Sequence, residues 1–144
     1  MHMVPRGVQL WRSDCTVTFI KVKGNEEILG GYNPLKWETT DRWGITEDSF
    51  IFSFKDKNVK NAILSNVIDA YNALDYITSC GPKFGSDLNI YSTYSYRNHG
   101  SKAFDITRCR KVHYERNIRD TEYKFSIEDY EVFQITRRNI MLDK

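Results

Sequence analysis

Alternating hydrophobic and polar positions predict a series of short β-strands along the chain. The clearest alternation is SFIFSF at residues 49–54, in which three phenylalanines fall on one face of an extended strand. Residues 16–22 carry apolar side chains on both faces, which is typical of a strand covered on both sides. Gly24 and Asn25 tolerate positive φ, so they predict a turn into a return strand at residues 27–32.

Later segments extend this pattern of strands. The spacing in residues 58–77 fits either a helix or two short strands joined at Ile68 and Asp69, and we favour the strands. Residues 88–92 and 125–135 alternate as strands, and the second of these is a long closing strand. Short strands separated by Gly, Asn and Pro turns are typical of a sandwich rather than of βαβ units. The sequence therefore predicts a mainly β (α+β) fold, an antiparallel two-sheet β-sandwich with few short helices.

Two glycines and two polar segments interrupt the predicted strands. Gly30 and Gly31 lie inside the return strand, where they indicate a bulge or a close approach of another group. The polar segment 36–48 contains two tryptophans and the segment 93–103 contains two tyrosines, so both segments are candidates for binding ligands that stack on aromatic rings. Binding of carbohydrate or nucleic acid through Trp37, Trp43, Tyr94 and Tyr96 is therefore an alternative function.

Composition and charge narrow the class of protein. The 144 residues are 40% hydrophobic and 14% aromatic, which is the composition of a folded single domain rather than of a disordered chain. The formal net charge is only +2, so no overall field favours nucleic acid or an anionic membrane. No apolar run in these residues is long enough to cross a bilayer, and no charged-then-apolar pattern of a signal peptide occurs among them. We expect one cytoplasmic domain at residues 8–144, preceded by a vector-derived or disordered stretch at residues 1–7.

The cysteines supply one candidate for chemistry. Cys15, Cys80 and Cys109 are far apart in the sequence and odd in number, which fits reduced thiols better than a disulfide framework. Cys109 and His113 are four residues apart, and a Cys–His pair can form a reactive thiolate. A buried thiol beside a partly solvated histidine is the more common outcome. A weak peroxide-reactive role for Cys109 is therefore a second alternative function.

Other catalytic templates fail on the sequence. There is no GxSxG motif, and only His99 and His113 lie beyond the first seven residues, so no nucleophile triad is predicted. Nitrogen and sulfur ligands are too sparse for zinc, and no cofactor is predicted. GPKFGSDL at residues 81–88 lacks the spacing and the lysine of a P-loop. We expect a turn there, with unusual φ values at its two glycines and an anchoring phenylalanine.

Acidic residues cluster at Glu26 and Glu27 and again near the end of the chain. In the closing strand, Glu128 and Asp129 point to opposite faces if the alternation is regular, so at least one acid is expected to face inward. A buried carboxylate needs a donor or a basic partner. We therefore expect structural ion pairs rather than the paired carboxylates of a glycosidase.

Four motifs, taken in order, resemble the TLDc domain, the module of the oxidation-resistance proteins. These motifs are GGYNPLKW, GITEDSFIFSF, GPKFGSDLNIYS and FSIEDYEVFQI, and the resemblance covers residues 15–135. The chain departs from the family at Ile45 and Thr46, where small residues are usual, and at Phe133, where the family has tryptophan. The family's long glycine run is reduced to two glycines, and its N-terminal helical motif is not found before Cys15.

This resemblance implies a non-enzymatic protein-interaction domain with a role in tolerance of oxidative stress. Several members of the family bind the vacuolar proton ATPase, so the resemblance also implies this partner. Without the helical motif an uncovered sheet face would be an apolar patch, and a homodimer is one way to cover it. Matched position by position, the resemblance implies these binding residues: Glu47, Ser49, Gly81, Phe84, Gly85, Asp87, Asp129 and Glu131.

Overall fold

Two antiparallel β-sheets stacked on each other make up the fold. The computed structural model describes residues 2–4, 14–38, 40–55, 58–76, 81–90, 93–94, 102–103 and 107–136. The mainly β, two-sheet prediction is confirmed. The strands in chain order are β1 His2–Val4, β2 Thr16–Val22, β3 Ile28–Asn33, β4 Trp43–Gly44, β5 Phe50–Phe54, β6 Ile63–Asn66, β7 Leu74–Asp75, β8 Lys83–Phe84, β9 Leu88–Asn89, β10 Thr93–Tyr94, β11 Lys102–Ala103, β12 Arg108–Cys109 and β13 Ile127–Gln134.

The larger sheet, sheet I, has the strand order β1-β13-β2-β3-β5-β6. The smaller sheet, sheet II, has the order β12-β9-β8-β7-β4, and β10 pairs with β11 in a separate two-stranded ladder. Short 3-10 helices at Val59–Asn61 and Ala70–Asn72 precede β6 and β7. The closing strand β13 lies between β1 and β2, so it is paired on both sides and is not an edge strand of sheet I.

The hydrophobic core lies between the two sheets. Trp37, from the segment after β3, seals one side of this core, because its ring packs edge-on against Tyr76 and Phe84. Its indole N–H donates to the Thr16 hydroxyl at 3.1 Å, which satisfies the buried donor. The fully buried side chains of the core include Ile20, Leu29, Leu74, Phe84, Leu88, Ile90 and Tyr114.

The three phenylalanines of β5 lie on the side of sheet I that faces away from this core. Ile51 and Ser53 face sheet II instead, and the Ser53 hydroxyl donates to the Ile118 carbonyl. The strand at residues 49–54 is thus confirmed, and its alternation is regular. The core nevertheless lies on the side of β5 that carries Ile51 and Ser53, not on the side of the three phenylalanines. The serine hydroxyls on the core side are satisfied, because Ser53 and Ser65 donate to carbonyls of the segment that follows Tyr114.

The two adjacent glycines of β3 serve close contacts on opposite faces. Gly31 lies under the Phe84 ring, where an added Cβ would be 2.6 Å from Cζ. Gly30 faces the outer side, where an added Cβ would overlap the Thr18 carbonyl and the Phe52 ring. The pairing of β2 with β3 is continuous along the strand, so the close approach is confirmed and the bulge is not found.

A register shift in β13 changes the direction of the acidic side chains. The pairing with β2 is irregular between Ile127 and Asp129, which is the mark of a β-bulge. Glu128 therefore lies at the surface and forms an ion pair with Lys21 at 3.0 Å. Glu131 is exposed and Asp129 is half-buried on the outer face. The expectation that one of these acids faces inward is wrong, because the bulge removes the regular alternation on which it rested.

The remaining predicted elements are found with shifted ends. Residues 58–77 contain β6 and β7, as the strand interpretation predicted, and the turn glycine Gly24 has φ +86. Of the strand predicted at residues 88–92, only β9 lies in the described part, because residues 91–92 are outside it. Residues 1–7 were set aside, yet His2–Val4 form β1 beside β13. Within the described ranges, no helix is long and apolar enough to cross a membrane.

Candidate functional site

The outer side of sheet I carries a continuous layer of aromatic rings, here called the aromatic face. Its centre is Phe19, whose ring lies edge-on to Phe52 at 5.6 Å and to Phe133 at 5.7 Å between centroids. Sheet II and the hydrophobic core lie on the opposite side of sheet I. The rings of the aromatic face are Phe19, Tyr32, Phe50, Phe52, Phe54 and Phe133.

The rings are close enough to touch one another across four strands. Phe50 stacks on Tyr32 at 5.2 Å, and Phe52 stacks on Phe54 at 6.2 Å. Phe52 is 9% exposed, whereas the other five side chains are half-buried. A layer of rigid rings that is partly accessible to solvent is the kind of surface that a partner can cover at low entropic cost.

An acidic cleft of about 230 Å³ lies at one end of the aromatic face. Glu131 stands opposite Phe19 in the pairing of β13 with β2, and Asp129 stands opposite Lys21. Two of the residues implied by the resemblance, Asp129 and Glu131, are thus brought to the same side of sheet I as the rings. The residues lining the cleft are Phe19, Lys21, Ile28, Asp129, Tyr130 and Glu131.

A second group of these residues lies in sheet II, at the turn between β8 and β9. Gly85 has φ +59, a left-handed conformation that favours glycine. The fully buried carboxylate of Asp87 accepts the backbone N–H groups of Val112, His113 and Tyr114 at 2.8, 2.8 and 3.0 Å. Burial raises the pKa of Asp87, although these three hydrogen bonds act in the opposite direction. Asp87 therefore anchors the segment 112–114 to the turn.

His113 connects this turn to a carboxylate on the other side of its ring. Its Nε2 atom lies 3.4 Å from the Ser86 hydroxyl, and its Nδ1 atom lies 3.2 Å from Asp69 Oδ2. The Trp43 ring packs edge-on against the imidazole at 5.5 Å. We call this arrangement the Ser86–His113–Asp69 chain. The sequence motifs gave no sign of it, because the residues are separated by 27 and 44 positions and meet only through the fold.

Ser49 and Phe84 have structural surroundings. Phe84 is fully buried against Gly31 and Trp37, which confirms it as the anchor of its turn. The buried Ser49 hydroxyl lies 2.8 Å from the Tyr32 carbonyl and 2.7 Å from the Tyr114 hydroxyl. These contacts tie β5 to neighbouring segments inside the protein, so neither side chain is presented to a partner.

Gly81 and Glu47 also differ from the rest of the predicted set. Of the two glycines in GPKFGSDL only Gly85 has a positive φ, so the expectation of unusual φ at Gly81 is wrong. Gly81 instead allows close packing, since an added Cβ would lie 3.1 Å from Ile90 and 3.4 Å from the Tyr130 hydroxyl. Glu47 is exposed just before β5. The eight predicted residues therefore do not form one site.

The surroundings of Cys109 disfavour thiolate chemistry. The side chain is 3% exposed, and burial raises the pKa of the thiol to about 12. The His113 ring nitrogens contact Asp69 and Ser86. Among the residues that the structure describes, no group of three or more His, Cys, Asp or Glu side chains is placed to hold a metal ion.

The aromatic loops predicted as binding elements have different outcomes. Trp37 is 6% exposed in the core, so it is a structural residue, whereas Trp43 is 39% exposed beside His113. The backbone at Tyr94 pairs in β10, and Tyr96 lies outside the described residues. Ligand binding by the two tyrosines stays a prediction.

Comparison with known families agrees with this architecture. The sequence model of the family described as TLDc domain matches residues 7–136, a range that includes strands β2 to β13 and the turn at Gly85. No curated protein and no solved structure matches the chain significantly. The family match covers the 15–135 region in which the four motifs occur. The chain therefore belongs to the TLDc domain family.

Proposed function

We propose that this chain is a protein-interaction domain that binds its partner through the aromatic face. The observation that carries this proposal is the continuous layer of half-buried rings on the outer side of sheet I. Aromatic residues are enriched in protein interfaces, and contiguous exposed apolar patches mark binding surfaces. Membership of the TLDc family supports the same role.

The dimensions of the face favour a macromolecular partner over a small molecule. The rings extend over β13, β2, β3 and β5, which at ordinary strand spacing is about 15 Å. The cleft beside Phe19 is open and small, at about 230 Å³, whereas small-molecule sites are usually larger and more enclosed. A broad, shallow aromatic surface can contribute several anchoring side chains to one protein interface.

The charges around the cleft indicate the chemistry of the partner. Glu131 is exposed beside Phe19, and Glu128 lies at the same edge in its ion pair with Lys21. Acidic groups at the rim of an aromatic surface attract a partner that carries lysine or arginine next to its own apolar contact residues. We therefore propose an apolar partner surface with a basic margin.

In the cell, we propose that the domain acts in the cytoplasm in tolerance of oxidative stress. Its proposed partner is the vacuolar proton ATPase, bound through one or more of its subunits. Both statements rest on the resemblance to TLDc proteins. A homodimer, in which a second copy covers the aromatic face, is the alternative, and its mass in solution distinguishes it from a monomer that binds another protein.

The test measures binding of purified cytosolic subunits of the vacuolar proton ATPase to the immobilised chain. We expect binding by the wild type and at least a tenfold loss of affinity for Phe19→Ser and Phe50→Ser, because each removes a ring from the face. Tyr123→Ser is the matched control, since Tyr123 is 82% exposed and outside the ring layer. Circular dichroism confirms that each variant is folded.

The outcomes separate the partner from the surface. Equal binding by the wild type and both ring variants would show that the aromatic face is not the contact. No binding by the folded wild type would exclude the ATPase subunits tested. Light scattering on the same samples gives the mass, and a dimer that dissociates in Phe19→Ser would identify a second copy as the occupant.

A further inference from the structure

We propose that the Ser86–His113–Asp69 chain is a hydrolytic site at which the Ser86 hydroxyl attacks carboxylic esters with a short acyl group. This proposal goes beyond the interaction function, which needs no chemistry. It rests on the order of the contacts, in which the Ser86 hydroxyl meets one imidazole nitrogen of His113 and the Asp69 carboxylate meets the other. The same order of groups activates a serine in hydrolases on unrelated folds.

The contacts determine which nitrogen of His113 carries the proton. Hydrogen bonds from Asn72 and then from His113 lower the pKa of Asp69, so its carboxylate is ionised at neutral pH and can only accept. In the neutral imidazole the proton therefore lies on Nδ1, which donates to Asp69 Oδ2 at 3.2 Å. Nε2 is then an acceptor, and it lies 3.4 Å from the Ser86 hydroxyl. This is the tautomer that a general base requires.

The imidazole is held in position from several sides. The backbone N–H of His113 donates to the buried Asp87 carboxylate, and its carbonyl accepts the N–H groups of Ile68 and Asp69. Trp43 packs edge-on against the ring. A base that is fixed before the substrate arrives needs little reorganisation in the transition state.

Ser86 is placed on a sharp turn where a substrate can reach it. The left-handed Gly85 precedes it, and the buried Asp87 follows, so the half-buried Ser86 lies at the apex between β8 and β9. The exposed Arg110 side chain donates from Nε to the Ser86 carbonyl at 3.2 Å. This contact holds the guanidinium at the Ser86 residue, and we assign it the role of stabilising the negative charge that develops when an ester carbonyl is attacked.

The surroundings indicate the class of substrate. Trp43 is 39% exposed beside the imidazole, and Val112, next to His113 in the chain, is 43% exposed. These side chains provide an apolar contact for a small acyl group rather than a deep channel for a long one. Esters with short acyl chains, such as acetyl esters, fit this open site.

The reaction balances with water as the only co-reactant. Ser86 Oγ attacks the ester carbonyl carbon while His113 Nε2 takes the hydroxyl proton, and the carbonyl oxygen becomes an oxyanion beside Arg110. The oxyanion collapses, the bond to the alcohol breaks, and His113 returns the proton to the leaving alcohol. Water then attacks the acyl-serine with His113 again as base, which releases the carboxylic acid and restores the Ser86 hydroxyl.

The experiment treats the full chain with a fluorophosphonate probe and identifies the modified residue by peptide mass. We expect modification of Ser86 in the native protein and its loss in Ser86→Ala and after heat denaturation. His113→Gln should label at least about 100-fold more slowly, the usual contribution of a general base. Ser126→Ala, at a half-buried serine in another segment, is the matched control and should label like the wild type.

Hydrolysis of p-nitrophenyl acetate gives the second readout, and it tests Asp69 as a positioning residue. Asp69→Asn should lower kcat by at least tenfold at unchanged KM, because the orientation and charge stabilisation of the imidazole are lost whereas the amide oxygen can still accept the hydrogen bond from Asn72. If His113→Gln does not fold, the labelling rate and kcat of Asp69→Asn still test the proposal. The proposal is wrong if the native wild type is not modified at Ser86, or if Asp69→Asn labels and turns over like the wild type.

Discussion

Phe19 and Phe52 lie edge to face at 5.6 Å between centroids although their strands are not neighbours. The strand between them, β3, places Gly30 directly opposite both residues. Because Gly30 has no side chain, the two rings meet above its backbone and the aromatic face becomes continuous. Gly30, which in the sequence indicated a bulge or a close approach, is therefore required for the aromatic face to be continuous.

Gly30→Ala is expected to destabilise the domain. The added Cβ would overlap the Thr18 carbonyl and the Phe52 ring, so the backbone and the ring must both move. Overpacking of this kind typically lowers the free energy of unfolding by about 1–3 kcal/mol. Urea denaturation measures the change. Gly24→Asn is the control, since Gly24 has φ +86 with nothing within 4 Å of an added Cβ, and asparagine tolerates that conformation.

Phe84→Ala should cost more stability than Phe52→Ala. Phe84 is fully buried between the sheets, so loss of its ring leaves a cavity and should lower the free energy of unfolding by about 3–5 kcal/mol. Phe52 is 9% exposed on the outer face, so solvent and neighbouring rings can fill part of the space that its ring leaves. We therefore expect Phe52→Ala to lower the free energy of unfolding by about 3 kcal/mol, the lower end of the range for Phe84→Ala. Thermal or urea unfolding of both variants gives the order, and the reverse order would contradict the assignment of the core face.

The pair Glu27 and Arg119 should behave as a buried ion pair. Arg119 donates from Nε and Nη2 to the two carboxylate oxygens at 2.7 and 3.1 Å, and its guanidinium lies 4.0 Å from the centroid of the Phe125 ring. Glu27→Ala leaves the arginine charge uncompensated, so the free energy of unfolding should fall by about 3–5 kcal/mol.

The double variant Glu27→Met with Arg119→Met is the control for this pair. Both charges are removed and apolar volume is kept, so it should recover most of the loss. A double-mutant cycle by chemical denaturation, completed with the single variants Glu27→Met and Arg119→Met, measures the coupling between the two side chains. A coupling energy near zero would show that the pair does not contribute as the geometry indicates.

Stability should decrease at alkaline pH partly because of Cys109. Its pKa is raised from 9.0 to about 12 by burial, so the unfolded thiol ionises before the folded one. The contribution of the neutral thiol is fully present below pH 9 and is lost as the pH rises toward 12. Cys109→Ala removes this dependence, so the wild type should lose more stability than the variant between pH 8 and 10.5.

The same burial makes a second measurement possible at pH 8. A thiol-specific reagent should not modify Cys109 in the native protein, and it should do so after unfolding. Peroxide consumption should likewise be the same in the wild type and in Cys109→Ala. Rapid native modification of Cys109 would contradict its burial and would restore the peroxide-reactive alternative.

Local patterns in the sequence predicted most of sheet I. The regular alternation of residues 49–54 indicated β5, and the tolerance of Gly24 for positive φ indicated the turn between β2 and β3. Alternation could not say which side of β5 faces the core, because that depends on where sheet II docks. The side with Ile51 and Ser53 faces the core, where the Ser53 hydroxyl contacts the carbonyl of Ile118, 65 positions away in the sequence.

The candidate sites were harder to predict than the strands. The β-bulge near Glu128 contains no glycine or proline that would indicate it in the sequence, so the direction of the acidic side chains was predicted wrongly. Ser86 and His113 are 27 positions apart, and the segment 112–114 is bound to the turn by the neighbouring Asp87. A motif search looks for neighbours in the chain, whereas this contact is made by the pairing of distant segments.

Hydroxyl-radical footprinting of the chain, with and without purified vacuolar ATPase subunits, tests the aromatic face most directly, because aromatic rings react readily and each can be followed by peptide mass. We predict that oxidation of Phe19, Phe50 and Phe133 decreases in the complex while that of Tyr123, 82% exposed elsewhere, stays the same. A complex that forms while these three rings remain as reactive as in the free chain would contradict the claim that the aromatic face is the binding surface.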